Sequence, residues 1–251
     1  MTDSQYDSTN DPKSGDRRNF IFGALLLVLV FGTWCYALTI APSEEHQGEV
    51  YRILYLHVPA AFSAFFAAFV MLIFSIQGLA RKSERSLIMQ KAAAEVGLLF
   101  TLLTLATGSI WGKPTWNTWW TWDARLTTTF ILALLYAGYL VLHAGLSPGR
   151  QRITVCSVLG IIIFADVPII YKSVTWWRTL HQPPSILRRG GSTMHPEILW
   201  PLLVGLFILL LFSFWMMRQR ARNLRLLDEL EMATFNDSGN SETPTSPGER
   251  A

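Results

Sequence analysis

Six long apolar blocks that carry almost no charge dominate this 251-residue chain, and they leave few folds open to it. They are Phe20–Ala41, Val58–Ala80, Ala92–Trp111, Leu126–Ala144, Ile153–Tyr171 and Ile198–Met217. A helix needs roughly 20 apolar residues to cross about 30 Å of hydrocarbon, and each block meets that length. Lipid offers no hydrogen-bond partners to an open backbone, so each block is expected to be helical. The blocks are too long and too continuously apolar for barrel strands. Only 16% of the residues are charged, against about one quarter in an ordinary soluble domain, and the charges cluster between the blocks. The expected fold is an all-α polytopic membrane protein with six transmembrane helices. Lipid is then its surrounding partner, and no nucleic acid is expected.

The first block follows Asp16-Arg17-Arg18-Asn19-Phe20, a faint echo of a twin-arginine export signal. It is longer than a usual signal core and no small-residue cleavage site follows, so an uncleaved first helix is expected. Basic residues set the orientation. Lys13, Arg17, Arg18, Arg81, Lys82, Arg85, Lys91, Arg150, Arg152, Arg218, Arg220, Arg222 and Arg225 fall on the side of the termini. Arg52, Lys113, Arg125, Lys172, Arg178, Arg188 and Arg189 fall on the other side. The positive-inside rule puts both termini in the cytoplasm and segments 42–57, 112–125 and 172–197 outside. Residues 1–19 read as a disordered tail, 20–217 as the membrane domain, and 218–251 as a basic helix followed by a disordered tail.

This partition places the candidate chemistry outside. Four of the five histidines, His46, His57, His181 and His195, lie in external segments, and His143 lies at the cytoplasmic end of the fourth block. The two cysteines, Cys35 and Cys156, both fall in predicted spans, which excludes a disulfide framework or a Cys-rich metal site. The chain lacks the Cys-x-x-Cys-His of a c-type cytochrome, a Walker A loop, a dinucleotide fingerprint and a Gly-x-Ser-x-Gly elbow. Two carboxylates sit near the spans. Glu95 is close enough to the cytoplasmic end of the third block to reach water or Lys91. Asp166, followed by Pro168, lies in the outer half of the fifth.

The densest signal is the external segment 111–125, with Trp111, Trp116, Trp119, Trp120 and Trp122, followed by Asp123 and Arg125. An interfacial aromatic belt accounts for one or two tryptophans at a helix end, not for five in one loop. Trp116, Trp119, Trp120 and Asp123 are spaced to share one helical face, and Pro114 and Thr115 suit a helix start, so a short amphipathic helix lying flat at the outer surface is expected. Such a helix would form an aromatic platform for a flat ligand. His57 and His181 should sit at similar depth on the same side. Two imidazoles beside an aromatic surface suggest the axial ligands of a haem iron, with Arg52, Arg125 or Arg178 on the propionates. On spacing alone His195 rivals His181. A quinone-linked membrane cytochrome and a small-molecule transporter are the competing readings. The need for five tryptophans speaks against the first, and nearly uncharged, unbroken spans against the second.

Three motifs in order carry a resemblance. Trp111-Gly-x-x-x-Trp-x-x-Trp-Trp-x-Trp-Asp123 resembles the "WWD" signature of the haem-handling proteins of cytochrome c biogenesis. Tyr51-Arg-Ile-Leu-Tyr-Leu-His57-Val-Pro-Ala-Ala61 and Trp176-Trp-Arg-Thr-Leu-His-Gln182 resemble the two histidine segments of the haem exporter protein C (CcmC) family. The resemblance spans about residues 20–218. It implies that His57 and His181 ligate haem b without a covalent bond, and that Trp111, Trp116, Trp119, Trp120, Trp122, Asp123 and Arg125 cradle it. It implies a haem-transfer protein of the bacterial inner membrane, not an enzyme, that delivers to a periplasmic haem chaperone. It also implies partnership with ABC-type transporter subunits and a small membrane subunit. Arg178 stands where asparagine is usual in the family.

Overall fold

In the computed structural model, residues 12–44, 47–182, 185–186 and 191–241 are described, with side-chain surroundings from 17 to 235. His46, Arg188 and Arg189, and the outer parts of both expected tails, lie outside the described residues. The chain forms α1 (Pro12–Thr39), α2 (Leu54–Arg81), α3 (Arg85–Trp116), α4 (Ala124–Gly145), α5 (Arg150–Trp176) and α6 (Pro196–Ser241). A short 3-10 helix, Glu49–Ile53, leads into α2. Among the described residues six helices are long and apolar enough to cross a membrane. Each expected block is the core of one of them.

Five helices outrun their blocks at both ends, while α1 stops at Thr39, two residues short of the expected Ala41. A 28-residue helix such as α2 is about 42 Å long at 1.5 Å per residue, more than the hydrocarbon thickness. The surplus turns continue into the polar flanks, where they position the charged and aromatic residues. Helix α6 runs on through the expected basic helix and ends at Ser241. Its Ala221 and Leu224 pack on Ala92, Ile88 and Met89 of α3. Arg220 grips Glu95 with both Nε and Nη2. Glu95 therefore pairs with α6, neither left to water nor paired with Lys91. The sequence separation of the two residues hid the pair.

Helix α2 sits at the centre, packed on α3, α5 and α6, while α4 closes the bundle between α3 and α5. Its buried face is lined by small residues, Ala60, Ala64, Ala67, Ala68, Ser75 and Gly78, which let neighbouring backbones come close. Helix α1 packs mainly on α6 and turns Phe20, Phe22, Val28 and Phe31 outward. At the arginine-rich end, the buried Gln90 donates to Phe74 O at 3.0 Å and accepts from Tyr139 at 3.2 Å, and its amide also meets Ser157 at 3.2 Å. Four helices are tied there through one side chain. Glu84 accepts from Arg152 at 2.7 Å and from the amide of Gly149, which fixes the α4–α5 turn.

Gly97 shows how tight the packing is. A methyl group there would run into the ring of Tyr136, which is fully buried and donates to Ala64 O at 2.8 Å. The ring has nowhere to go. Gly97→Ala is expected to destabilise the protein by about 1–3 kcal/mol, as overpacking does. Gly138→Ala, where a methyl group meets open space, is expected to be neutral. Thermal unfolding of the two variants in detergent measures the difference.

The tryptophan segment departs from the expected flat helix. Helix α3 passes straight through Pro114 and ends at Trp116, and Asn117 reverses the chain at φ +57°. Asparagine tolerates this left-handed cap better than most residues. Residues 118–123 then run without helix to Asp123, whose carboxylate accepts from Leu126 N at 2.8 Å and caps α4. The helical spacing of Trp116, Trp119, Trp120 and Asp123 therefore has no helix to act on.

Candidate functional site

Helix α2 delivers His57 in its second turn. The lead-in is held by Arg52, which donates to Ala41 O at 2.9 Å and Leu38 O at 3.0 Å and pairs with Glu49 at 2.6 Å. These bonds hold one carbonyl at the end of α1 and one just beyond it, and keep the Arg52 guanidinium from the site. The His57 ring meets α3 on three sides. Its Nδ1 lies 3.0 Å from Thr107 Oγ1. Its Cε1 would be 3.0 Å from a methyl group at Gly108. The Trp111 ring meets it edge-on at 5.7 Å. Trp111 is itself anchored by its Nε1, which donates to Gln47 Oε1 at 2.8 Å, and by an edge contact with Tyr51 at 6.0 Å.

His181 follows the end of α5, and Asp123 holds it. Asp123 Oδ2 is 2.9 Å from His181 Nδ1, 2.8 Å from the Thr179 hydroxyl and 3.3 Å from the amide of Leu180. The Thr179 oxygen also accepts from the amide of His181 at 3.1 Å. Burial pushes the Asp123 carboxyl up, but the hydrogen bonds from His181, Leu126 and Thr179 outweigh it and hold the group well below the usual carboxylate range. The site thus contains a carboxylate clamped on one histidine, one cap and one loop. Trp116 lies against His181 with ring centroids 4.8 Å apart.

The two imidazoles open on one cavity of about 230 Å³ among α2, α3, α4 and α5. Its walls are mostly apolar, with Val58, Phe62, Phe65, Leu105 and Leu132, and Trp111 and Trp116 at its rim. Arg125 lines it too. The Nε of that guanidinium is buried and has no partner among the described residues. Arg178 is exposed, so of the three candidate arginines Arg125 is the one facing the cavity.

The five tryptophans split into two groups. Trp111 and Trp116 line the cavity. Trp119 and Trp122 are 58% and 73% exposed, and Trp120 and Trp122 pack on each other and on Phe130 of α4. Trp119 is fixed through its carbonyl, which accepts from Ser109 at 2.6 Å. Asp123 stands behind His181 and does not line the cavity. His195 is exposed near Glu197, and His143 packs on Tyr139 at the opposite end, so neither meets His57. Asp166 is buried on α5 away from the cavity lining, with one oxygen unpartnered among the described residues.

Sequence reasoning missed Thr107, Gly108, Thr179 and Gln47. Asp123 three residues before Leu126 was a readable cap signal. The others depend on contacts between distant segments.

A family model described as heme exporter protein C matches residues 12–235. Heme exporter protein C of Bradyrhizobium diazoefficiens is 37% identical over 229 residues, covering 88% of this chain and 86% of that protein. The Escherichia coli K12 protein of the same description is 38% identical over 206 residues, 82% of each chain. The Haemophilus influenzae one is 37% identical over 209 residues, 83% of this chain and 85% of its own. A match this long, at this identity, to a fold of six membrane-crossing helices makes this chain a member of the heme exporter protein C family.

Proposed function

We propose that this protein holds haem in the cavity between His57 and His181 and passes it, at the periplasmic face of a bacterial inner membrane, to a haem chaperone for c-type cytochrome biogenesis. It does so beside ABC-type transporter subunits and a small membrane subunit, as a carrier of cargo and not as an enzyme. One observation carries the reading. Two imidazoles from distant parts of the chain face one apolar cavity, and each has its Nδ1 engaged by a protein partner. The nitrogen left on each ring is Nε2. A ligating histidine usually has its second nitrogen bonded in this way.

The remaining groups suit a haem b. Apolar walls fit the porphyrin, Trp111 and Trp116 fit its edge, and Arg125, whose Nε has no hydrogen-bond partner among the described residues, supplies a guanidinium for a propionate. The exposed Trp119 and Trp122 lie outside the cavity lining and would receive the chaperone.

The split among the tryptophans provides the test. In purified full-length protein, Trp111→Ala with Trp116→Ala is expected to lower haem content. Trp119→Ala with Trp122→Ala is expected to leave the haem spectrum unchanged and slow transfer to the chaperone about tenfold, the loss of one or two aromatic anchors. Haem content and single-turnover transfer, measured side by side, check both. Wild-type transfer by the second pair would reduce Trp119 and Trp122 to an interfacial belt.

A further inference from the structure

We propose that Thr107 is a positioning residue that fixes the protonation pattern of His57, so that Nε2 is the nitrogen offered to the iron. The proposal rests on the reading of His57 as a haem ligand and adds how that ligand is made ready.

A threonine hydroxyl has one proton and can donate once. Thr107 Oγ1 lies 2.7 Å from Leu103 O and 3.2 Å from Thr104 O, both on its own helix. A carbonyl cannot donate, so the proton of Thr107 points along the helix. The 3.0 Å contact between Thr107 Oγ1 and His57 Nδ1 then needs its proton from the histidine. With the hydroxyl so committed, His57 carries hydrogen on Nδ1, which leaves Nε2 with a free lone pair. The other neutral tautomer would set two lone pairs against each other, with no water inside the bundle to relieve them, or give up the 2.7 Å contact to Leu103 O.

Neighbouring residues on α3 make the contrast. Thr101 and Thr104 donate to Gly97 O and Phe100 O at 2.7 Å in the same manner, yet neither oxygen receives a side chain. Thr107 is the one of the three that stands opposite an imidazole. Gly108 keeps the next position empty, so the ring lies against the helix at the height the hydroxyl requires. The two histidines are therefore backed unequally. A neutral hydroxyl oxygen accepts from His57, whereas the Asp123 carboxylate stands behind His181.

The experiment uses full-length protein in detergent loaded with haem, as wild type, Thr107→Val, Thr107→Ser and His57→Ala. The measurements are the rate of haem loss to apomyoglobin and the haem reduction potential. Removing an outer-shell partner of a ligating histidine lowers affinity about 10–100-fold, so Thr107→Val is expected to lose haem at least about tenfold faster, while Thr107→Ser stays within about twofold of wild type. The potential of Thr107→Val is expected to rise, because a His57 without its acceptor is a weaker donor to ferric iron. Thr107→Ala replaces the valine variant should that fail to fold. If His57→Ala strips the haem but Thr107→Val matches wild type in both readouts, the positioning role is wrong and the ligand reading stands. If Thr107→Ser loses haem faster while Thr107→Val matches wild type, the role is packing by the methyl group and the proposal fails, and if both are equally impaired the hydroxyl does not account for the loss and the proposal fails as well. If His57→Ala keeps haem with an unchanged spectrum, the ligand reading falls, and the proposal with it.

Discussion

Purified protein in which His57 and His181 are both replaced by alanine is expected to show no haem absorbance above that of free haem in the same detergent. The reason is the composition of the cavity. Without the two imidazoles its walls are mostly apolar, with Arg125 and a few hydroxyl and amide side chains among them. Those groups can bind an amphipathic molecule loosely but give the iron no nitrogen. The two losses should be unequal when made singly. His57 is seated on a helix and pressed by Thr107, Gly108 and Trp111. His181 sits in a connection and depends on Asp123. Absorbance spectra at matched protein concentration check this, with size-exclusion profiles to show that the variants fold. A full haem spectrum in the double variant would refute the assignment.

The second large effect is expected at Asp123, which holds more of the site than any other side chain. One oxygen caps α4, and the other faces donors from His181, Thr179 and Leu180. Asparagine has one oxygen to serve both sides. If it keeps the cap, its amide hydrogens face three donors. If it turns over, the cap is lost, at about 1 kcal/mol. Either way buried donors lose their acceptor, at about 1–3 kcal/mol each. Asp123→Asn is therefore expected to lower the thermal stability of the protein and to weaken haem retention about 10–100-fold, the usual effect of removing a carboxylate behind a ligating histidine. Haem-transfer kinetics to apomyoglobin and a melting curve report the two effects separately. An Asp123→Asn protein that melts lower but keeps haem like wild type would make Asp123 a helix cap alone.

The spans were legible because bilayer thickness sets a length that apolar composition must match. The boundaries were not, because the turns that carry His57, Trp116 and Arg220 lie outside the apolar blocks, where composition no longer marks helix. The tryptophan segment misled for a related reason. Spacing at i, i+3, i+4 and i+7 speaks only if the residues are helical, and Asn117 ends the helix first. Pro114 looked like a start signal but sits inside α3, where the Thr115 hydroxyl bonds the carbonyl of Trp111. His57 and His181 stood out by residue type, and three motifs put them in order. Their supports did not, since Thr107 looks like any threonine of an apolar helix until His57 is placed opposite it.

An iron held in this cavity would be met by Nε2 of His57 and by Nε2 of His181. Electron paramagnetic resonance of the ferric, haem-loaded full-length protein measures this most directly. The predicted result is a low-spin bis-imidazole signal in the wild type that is replaced by a high-spin signal on changing either His57 or His181 to alanine. A high-spin wild-type signal, or a low-spin signal that survives either substitution, would contradict it.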